Sequence, residues 1–332
     1  MEGRKVIERA KLIPKWELKL QKEARIHNAH SSTSIEGNPL SLEQVKDLAE
    51  HRDVAATEKD RKEVVNYLRA IDAIPRYAAE KILDTRFFLE MHKTVTAGTL
   101  KHDKDAGSFR DKQVFVGRRI FVGTGFKEVV EYMPPPTADV PSLVHEFFAW
   151  INSPMAHAMN PILLAGIAHY EVARIHPFID GNGRTARLLA SLIMYRSGFD
   201  HRRFFALDDY YDENRAAYYT ALKTVQEDRG DITRWLEYFT EGVLVSVNRV
   251  KQTVEKASIM SKDAGAGQIE LTKKQIAIIG KLKEKGRITN KDLREMFPVS
   301  RQAILKEVTK LIDAGIVKLA GKGRGAYYRL MD

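Results

Sequence analysis

Cysteine is absent from the 332 residues. Disulfides, thiolate metal sites and cysteine nucleophiles are therefore excluded. No apolar run is long enough to span a bilayer, and the opening MEGRKVIERAKL carries no apolar signal core. No membrane partner is expected, and the expected location is the cytoplasm. No internal repeat occurs, and no G-x-x-x-x-G-K-[ST] phosphate loop. What remains is 44% hydrophobic and 30% charged, the balance of a soluble globular protein of two or three domains.

Acidic residues run short in one region. The formal charge is +10, and residues 271–332 hold 15 Lys and Arg against 6 Asp and Glu, so +9 of the excess sits there. Concentrated positive charge favours polyanions such as nucleic acid, although charge alone reads equally as a solvated lysine-rich surface.

Most of the first 250 residues predict helices. KWELKLQKEARIH, SLEQVKDLAEHRD, KEVVNYLRAIDAI, PSLVHEFFAWIN, PILLAGIAHYEVARI and TARLLASLIMYRSG repeat apolar residues at three- and four-residue spacing. Ser41 with Gln44 forms a capping-box pattern at the start of the second. QVFVGRRIFV is β-prone around a Gly-Arg-Arg turn candidate, which predicts a short hairpin over residues 112–123. MPPPTADVP forces an extended loop after it, and KDAGAGQ, residues 262–268, has linker composition.

HPFIDGNGRTAR, residues 176–187, concentrates the chemistry. Its GNGRTA matches the dinucleotide fingerprint G-x-G-x-x-A, but that site needs a strand before the glycines. Here LAGIAHYEVARI precedes them with helical spacing, so the fingerprint is rejected. The spacing predicts instead a helix ending near Ile175, a tight loop from His176 to Gly183, and a helix from Arg184. Gly181 and Gly183, with Asn182 between them and Thr185 just beyond, would turn backbone N–H groups toward an anion at the helix start. Arg184 and Arg187 share a helix face and can reach phosphate oxygens. Asp180 can hold a Mg²⁺ that bridges phosphates, and His176 can take a proton from a hydroxyl. A base, a metal carboxylate, a phosphate nest and two clamps suit transfer from a nucleoside triphosphate.

The segment resembles the Fic-domain signature H-x-F-x-[DE]-G-N-G-R-x-x-R with all its fixed positions filled. Such a match arises by chance on the order of once in ten billion windows. The resemblance extends over most of residues 30–245. It implies a helical core and transfer of AMP from ATP to a protein hydroxyl. It also implies that QVFVGRR is the flap hairpin that aligns a target segment by strand addition, with Val116, Gly117, Arg118 and Arg119 lining the nucleotide pocket. YYTALKTVQ resembles the segment that holds the nucleoside, through Tyr218, Tyr219 and Gln226. Gln226 stands where the family often has asparagine, and without the resemblance a Tyr-Tyr pair on a helix reads as core packing.

SSTSIEGN, residues 31–38, fits the Fic inhibitory pattern [ST]-x-x-x-E-[GN] through Ser32, Glu36 and Gly37. A glutamate paired to Arg187 would remove that arginine from the γ-phosphate and place negative charge where the phosphate must lie. The tail from Leu271 predicts helix, helix, helix and hairpin. Thr289 with Asp292 and Ser300 are its helix caps, and GKGRG is a basic wing. It resembles a winged helix-turn-helix, with Arg301 and Gln302 at the start of the recognition helix. The alternative use of such a module is protein contact or dimerisation.

The expected fold is mainly all-α: a Fic-type helical core with a β-hairpin flap and a C-terminal winged helix. The expected divisions are residues 1–95, an N-terminal helical region; 96–250, the core; 251–270, a linker; and 271–332, the winged helix. The expected activity is protein adenylylation with ATP and Mg²⁺, held off by Glu36. The expected partners are a Tyr, Ser or Thr hydroxyl on a target protein, the protein itself, DNA through the tail, and a second copy in a homodimer. Two rivals stand beside this: removal of AMP from a modified protein, and a DNA-binding regulator whose Fic domain senses nucleotide.

Overall fold

Two stretches, PILLAGIAHYEVARI and TARLLASLIMYR, are apolar on more than one face, which suits helices buried at the centre of a bundle. The computed structural model, which describes residues 14–122, 125–200, 203–263, 272–297, 301–321 and 326–331, puts them there. The chain separates into two units. One is Ala24–Val247, and the other joins Met1–Glu23 to Asn248–Asp332. The larger unit thus runs across the division at residue 95 that the sequence suggests.

Helix α1 (Pro14–Ile35) ends in SSTSI, so the segment expected to inhibit closes a helix. Ser41 opens α2 (Leu42–Ala49) with the expected capping box: its hydroxyl accepts from Gln44 N–H, and the Gln44 side chain accepts from Ser41 N–H. Helices α3 (Glu58–Asp72), α4 (Ile74–Ala78) and α5 (Thr85–Thr96) follow, with Thr57 and Asp84 capping α3 and α5. An antiparallel hairpin of β1 (Val116–Val122) and β2 (Gly125–Tyr132) comes next. The hairpin expected over residues 112–123 is therefore displaced. Gly117, Arg118 and Arg119 lie within β1, and the chain reverses between Val122 and Gly125. A bulge between Val116 and Gly117 shifts the register there.

Residues 133–136 are extended, as the prolines require, and lead to α6 (Val140–Ile151) and α7 (Pro154–Ala158). The central pair is α8 (Pro161–Ile175) and α9 (Asn182–Arg196). They bury Leu164, Ala165, Ala168, Val172, Ile175, Ala186, Leu189, Ala190 and Ile193. Each large aliphatic residue there contributes about 1.5–3 kcal/mol of burial. Helices α10 (Leu207–Glu213), α11 (Arg215–Glu227) and α12 (Thr233–Asp263) follow, and the larger unit ends within α12 at Val247. Helix α12 continues through residues 251–263, which the sequence assigns to a linker. Trp235 is fully buried, and its indole N–H donates to the Gly166 carbonyl at 2.8 Å.

In the other unit, Thr272 opens α13 (Lys273–Lys285) with a capping box. Strand β3 (Ile288–Thr289) leads into α14 (Asn290–Met296), capped by Thr289 with Asp292 as expected. Helix α15 (Arg301–Asp313), β4 (Val317–Ala320) and β5 (Tyr327–Leu330) follow, and the antiparallel sheet runs β3-β5-β4. Ile278, Leu282, Leu293, Ile304, Val308, Leu311, Val317 and Tyr328 form its core, with Leu18 packed against it. Ser300 and residues 322–325 of the expected wing lie outside the described residues. Among the described residues no helix is long and apolar enough to cross a membrane.

Candidate active site

The site begins where α8 stops. His176 caps that helix in the left-handed region, with φ 48° and ψ 57°, and its N–H donates to the Val172 carbonyl at 3.0 Å. A side chain there costs roughly 1–2 kcal/mol. The half-buried imidazole lies near the Ala173 carbonyl, which favours its protonated form. Burial holds its pKa below the usual value, against the opposing pull of Glu36 and Asp180.

The following loop is tied at both ends. The Asn182 side chain accepts from Phe178 N–H and donates to the Phe178 carbonyl, both at 3.0 Å. Thr185 donates its hydroxyl to the Gly181 carbonyl at 2.8 Å. Asn182 and Thr185, expected to contact nucleotide, are buried and spend their side chains on holding the loop. Gly181 has φ 80°, which suits glycine. Gly183 differs from the expectation, because it lies in the first helical turn with no positive φ. Its need is space: a Cβ there would lie 2.1 Å from Glu36 Oε1 and 3.1 Å from an Arg187 guanidinium nitrogen. The first-turn N–H groups of α9 have no carbonyl partners within the helix, and the Glu36 carboxylate lies against Gly183 in that turn.

Arg187 is fully buried. Its guanidinium donates to Glu36 Oε1 at 2.8 Å, to the Ser32 hydroxyl at 2.8 Å and to the Ser32 carbonyl at 2.8 Å. Asp208 lies 3.9 Å behind it. Burial opposes the positive charge, and Glu36, Tyr218 and Asp208 overcome it, so the pKa stands well above its usual value. Burial in turn pushes the Asp208 carboxyl up to about 6, against the pull of Arg187. Arg184 is also buried, 3.5 Å from both Glu63 and Asp180. Two of its guanidinium nitrogens, Nε and Nη1, are buried without a hydrogen bond among the described residues, and Nη1 faces the Glu63 carboxylate. The Asp180 carboxylate is half-exposed and accepts from Gly181 N–H.

The SSTSIEGN segment is pinned from three sides. The buried Asn38 amide donates to the Asp60 carbonyl and to Glu63 Oε2, both at 3.0 Å. Asp209 accepts from Ser31 at 2.6 Å and pairs with His27 at 2.8 Å. Arg215 donates to the Ser34 hydroxyl at 2.6 Å. Gly37 ends the helix with φ 92°.

The tyrosine pair divides. Tyr218 is buried beneath the site, hydrogen-bonded to His169 Nε2 at 2.8 Å and 3.5 Å from an Arg187 nitrogen, so it supports Arg187 where it was expected to line the nucleoside pocket. Tyr219 is 44% exposed, and its hydroxyl reaches the Ile35 carbonyl at 3.4 Å. Gln226 is exposed in the last turn of α11, two turns further on. Val116 and Gly117 lie on the flap, and the side chains of Arg118 and Arg119 lie outside the described residues.

One supporting residue carries no mark in the motif. His92 is fully buried and stacks on Phe178 with ring centroids 3.6 Å apart. Its Nδ1 accepts from Gly107 N–H at 3.0 Å, so its Nε2 carries the proton and donates to the Asp180 carbonyl at 2.9 Å. Burial lowers its pKa to about 4, which keeps that tautomer neutral.

The comparisons agree with this geometry. The Fic/DOC family model matches residues 82–194. The chain is 30% identical over 227 residues to the protein adenylyltransferase Fic of Aedes aegypti, covering 67% of this chain and 40% of that protein. The Drosophila melanogaster protein of the same name is 30% identical over 225 residues, with 67% and 41% covered. The chain thus spans about 40% of the length of these curated relatives. A crystal structure of a Fic family protein from Desulfovibrio desulfuricans G20 superposes with TM-score 0.60 at 23% identity, over 99% of this chain and 94% of that one. Fic-1 from C. elegans gives TM-score 0.61 at 25% identity, over 80% and 71%. With its signature loop and these relatives, the chain carries a Fic/DOC-family domain over residues 82–194.

Proposed function

We propose that this protein transfers AMP from ATP to a Tyr, Ser or Thr hydroxyl of a protein, itself included, and that Glu36 holds the reaction off. The observation that carries the reading is the Glu36 carboxylate, seated on Gly183 and bonded to Arg187. An acidic group occupies the anion site that the helix start, Arg184 and Arg187 build. His176 takes the hydroxyl proton, the oxygen attacks the α-phosphorus, and the bond to the pyrophosphate oxygen breaks. The N–H groups at the start of α9 and the Arg184 guanidinium stabilise the charge on the transferring phosphoryl group.

Mg²⁺ takes one or two carboxylates and completes its shell with phosphates and water. The half-exposed Asp180 suits that role, and among the described residues no group of three His, Cys, Asp or Glu competes for a metal. The bound ion would neutralise phosphate charge. A second reading rests on Glu36 being 29% exposed. A carboxylate with an open side can hold a water against an adenylylated protein, which is the reverse reaction.

We also propose that the C-terminal unit is a winged helix-turn-helix that binds DNA, in line with its charge. Gln302, Lys306 and Lys310 recur every four residues on the exposed side of α15, and the Arg301 side chain lies outside the described residues. The deciding experiment is incubation with labelled ATP. Glu36→Gly should raise transfer, including self-modification, at least tenfold, since a charge-assisted pair to arginine is worth about 1.5–3 kcal/mol. His176→Ala or Arg187→Ala in that background should abolish or lower it. Unchanged transfer in Glu36→Gly overturns the inhibitory role. Loss of AMP release from a modified target would move the assignment to the reverse reaction.

A further inference from the structure

Arg110 sits three residues before the flap strand's approach and outside the signature, yet it is buried. Every acceptor it meets is neutral. Its Nε donates to the His176 carbonyl at 3.0 Å, and its backbone N–H donates to the Pro177 carbonyl at 2.9 Å. One terminal nitrogen donates to the Thr137 hydroxyl at 2.6 Å and approaches the Gln113 side chain and the Lys112 carbonyl at 3.3 and 3.4 Å. The other donates to the Pro135 carbonyl at 2.5 Å. A buried cation without a carboxylate is costly, so its retention calls for a reason.

The partners supply one. His176 and Pro177 are the turn that holds the base, while Pro135 and Thr137 follow directly from β2 of the flap. A second tie runs in parallel, because Tyr132 at the end of β2 donates to the Arg174 carbonyl at 2.6 Å, two residues before His176. The fork geometry of a guanidinium spans two segments at once, which an ammonium cannot do. We infer that Arg110 is a positioning residue that locks the base of the flap to the His176 turn, so that a target segment laid on the flap delivers its hydroxyl in register with the imidazole. The inference rests on the transferase reading and adds a residue to it.

Arg110 also acts on His176 through its charge. Glu36, Arg110 and Asp180 are the charged groups that bear on that imidazole, and Arg110 favours its neutral form. Two substitutions separate the roles. In the Glu36→Gly parent, Arg110→Lys keeps the charge and loses the fork. It should lower kcat for protein adenylylation roughly ten- to hundredfold, the cost of a small misplacement of reacting groups, and leave the ATP binding constant within threefold. Arg110→Gln should lose as much and also move the acid limb of the pH–rate profile upward, a shift absent in Arg110→Lys. Should either variant fail to fold in a thermal melt, Thr137→Val removes a single contact on the flap side, and it should lower kcat several-fold with ATP binding unchanged. Parent-like kcat in Arg110→Lys or in Thr137→Val, with the parent active, overturns the inference and leaves the transferase reading standing. A parent that binds ATP and transfers nothing overturns both.

Discussion

At the scale of single residues, the chemistry depends on two histidines kept neutral for different ends. In the proposed reaction His176 must be unprotonated to act, and burial lowers its pKa from 6.5. AMP transfer in the Glu36→Gly protein should therefore persist below pH 6.5 and then fall as the imidazole takes its proton. A kcat midpoint above 6.5 would contradict that. His92 has no proton to move. Its folded pKa is about 4 against 6.5 unfolded, so the unfolded chain binds the proton first as pH falls. The stability it contributes is complete above pH 6.5 and is lost progressively toward pH 4, by up to about 3 kcal/mol. Melting temperatures from pH 7 to 4.5 should drop more steeply for the parent than for His92→Gln, whose amide can still bond the Asp180 carbonyl without titrating. Comparing the two removes the opposite trend expected from Asp208, whose raised pKa favours folding in acid. Equal slopes would mean that His92 is not the titrating group.

At the scale of elements, the proposed inhibitor is the last turn of α1, and its position depends on a residue just past its end. Asn38 fastens that turn to α3 through Asp60 and Glu63. Asn38→Ala would leave Glu63 short of a partner and the turn less well held, at a cost of about 1–3 kcal/mol. Melting temperature should fall, and self-adenylylation of the otherwise intact protein should rise several-fold. A lower melting temperature with unchanged activity would show that Asp209 and Arg215 suffice to hold Glu36. The sequence made much of this legible. The helices announced themselves by spacing, the caps at Ser41 and Thr289 by residue type, and the site by one contiguous motif with a second short one before it. The unread parts share a physical cause. His92 meets Asp180 across 88 residues of chain and Arg110 meets His176 across 66, and such pairings leave no local period. The flap was found but displaced, because Gly-Arg-Arg looks like a turn and instead lies in β1 beside a bulge. Gly183 was credited with conformational freedom, whereas the structure uses its missing side chain.

At the scale of the whole molecule, the charge is unevenly spread along the chain. The residues from Leu271 onward carry nearly all the positive excess. If the C-terminal unit tracks a phosphate backbone, the logarithm of its DNA affinity should fall linearly with the logarithm of salt, by about 0.9 per phosphate neutralised. Gln302→Ala should then alter sequence preference with little change in that slope. Absence of any salt-dependent binding to duplex DNA would favour a protein partner for this unit.

The carboxylate resting on Gly183 belongs to the same chain as the site we propose it blocks. An inhibitor tethered in this way acts at an effective concentration set by geometry, which dilution leaves unchanged. The silent state should accordingly survive any lowering of protein concentration, and added ATP should displace it poorly, since the nucleotide competes with a neighbour that never diffuses away. Activation then falls to whatever moves the end of α1.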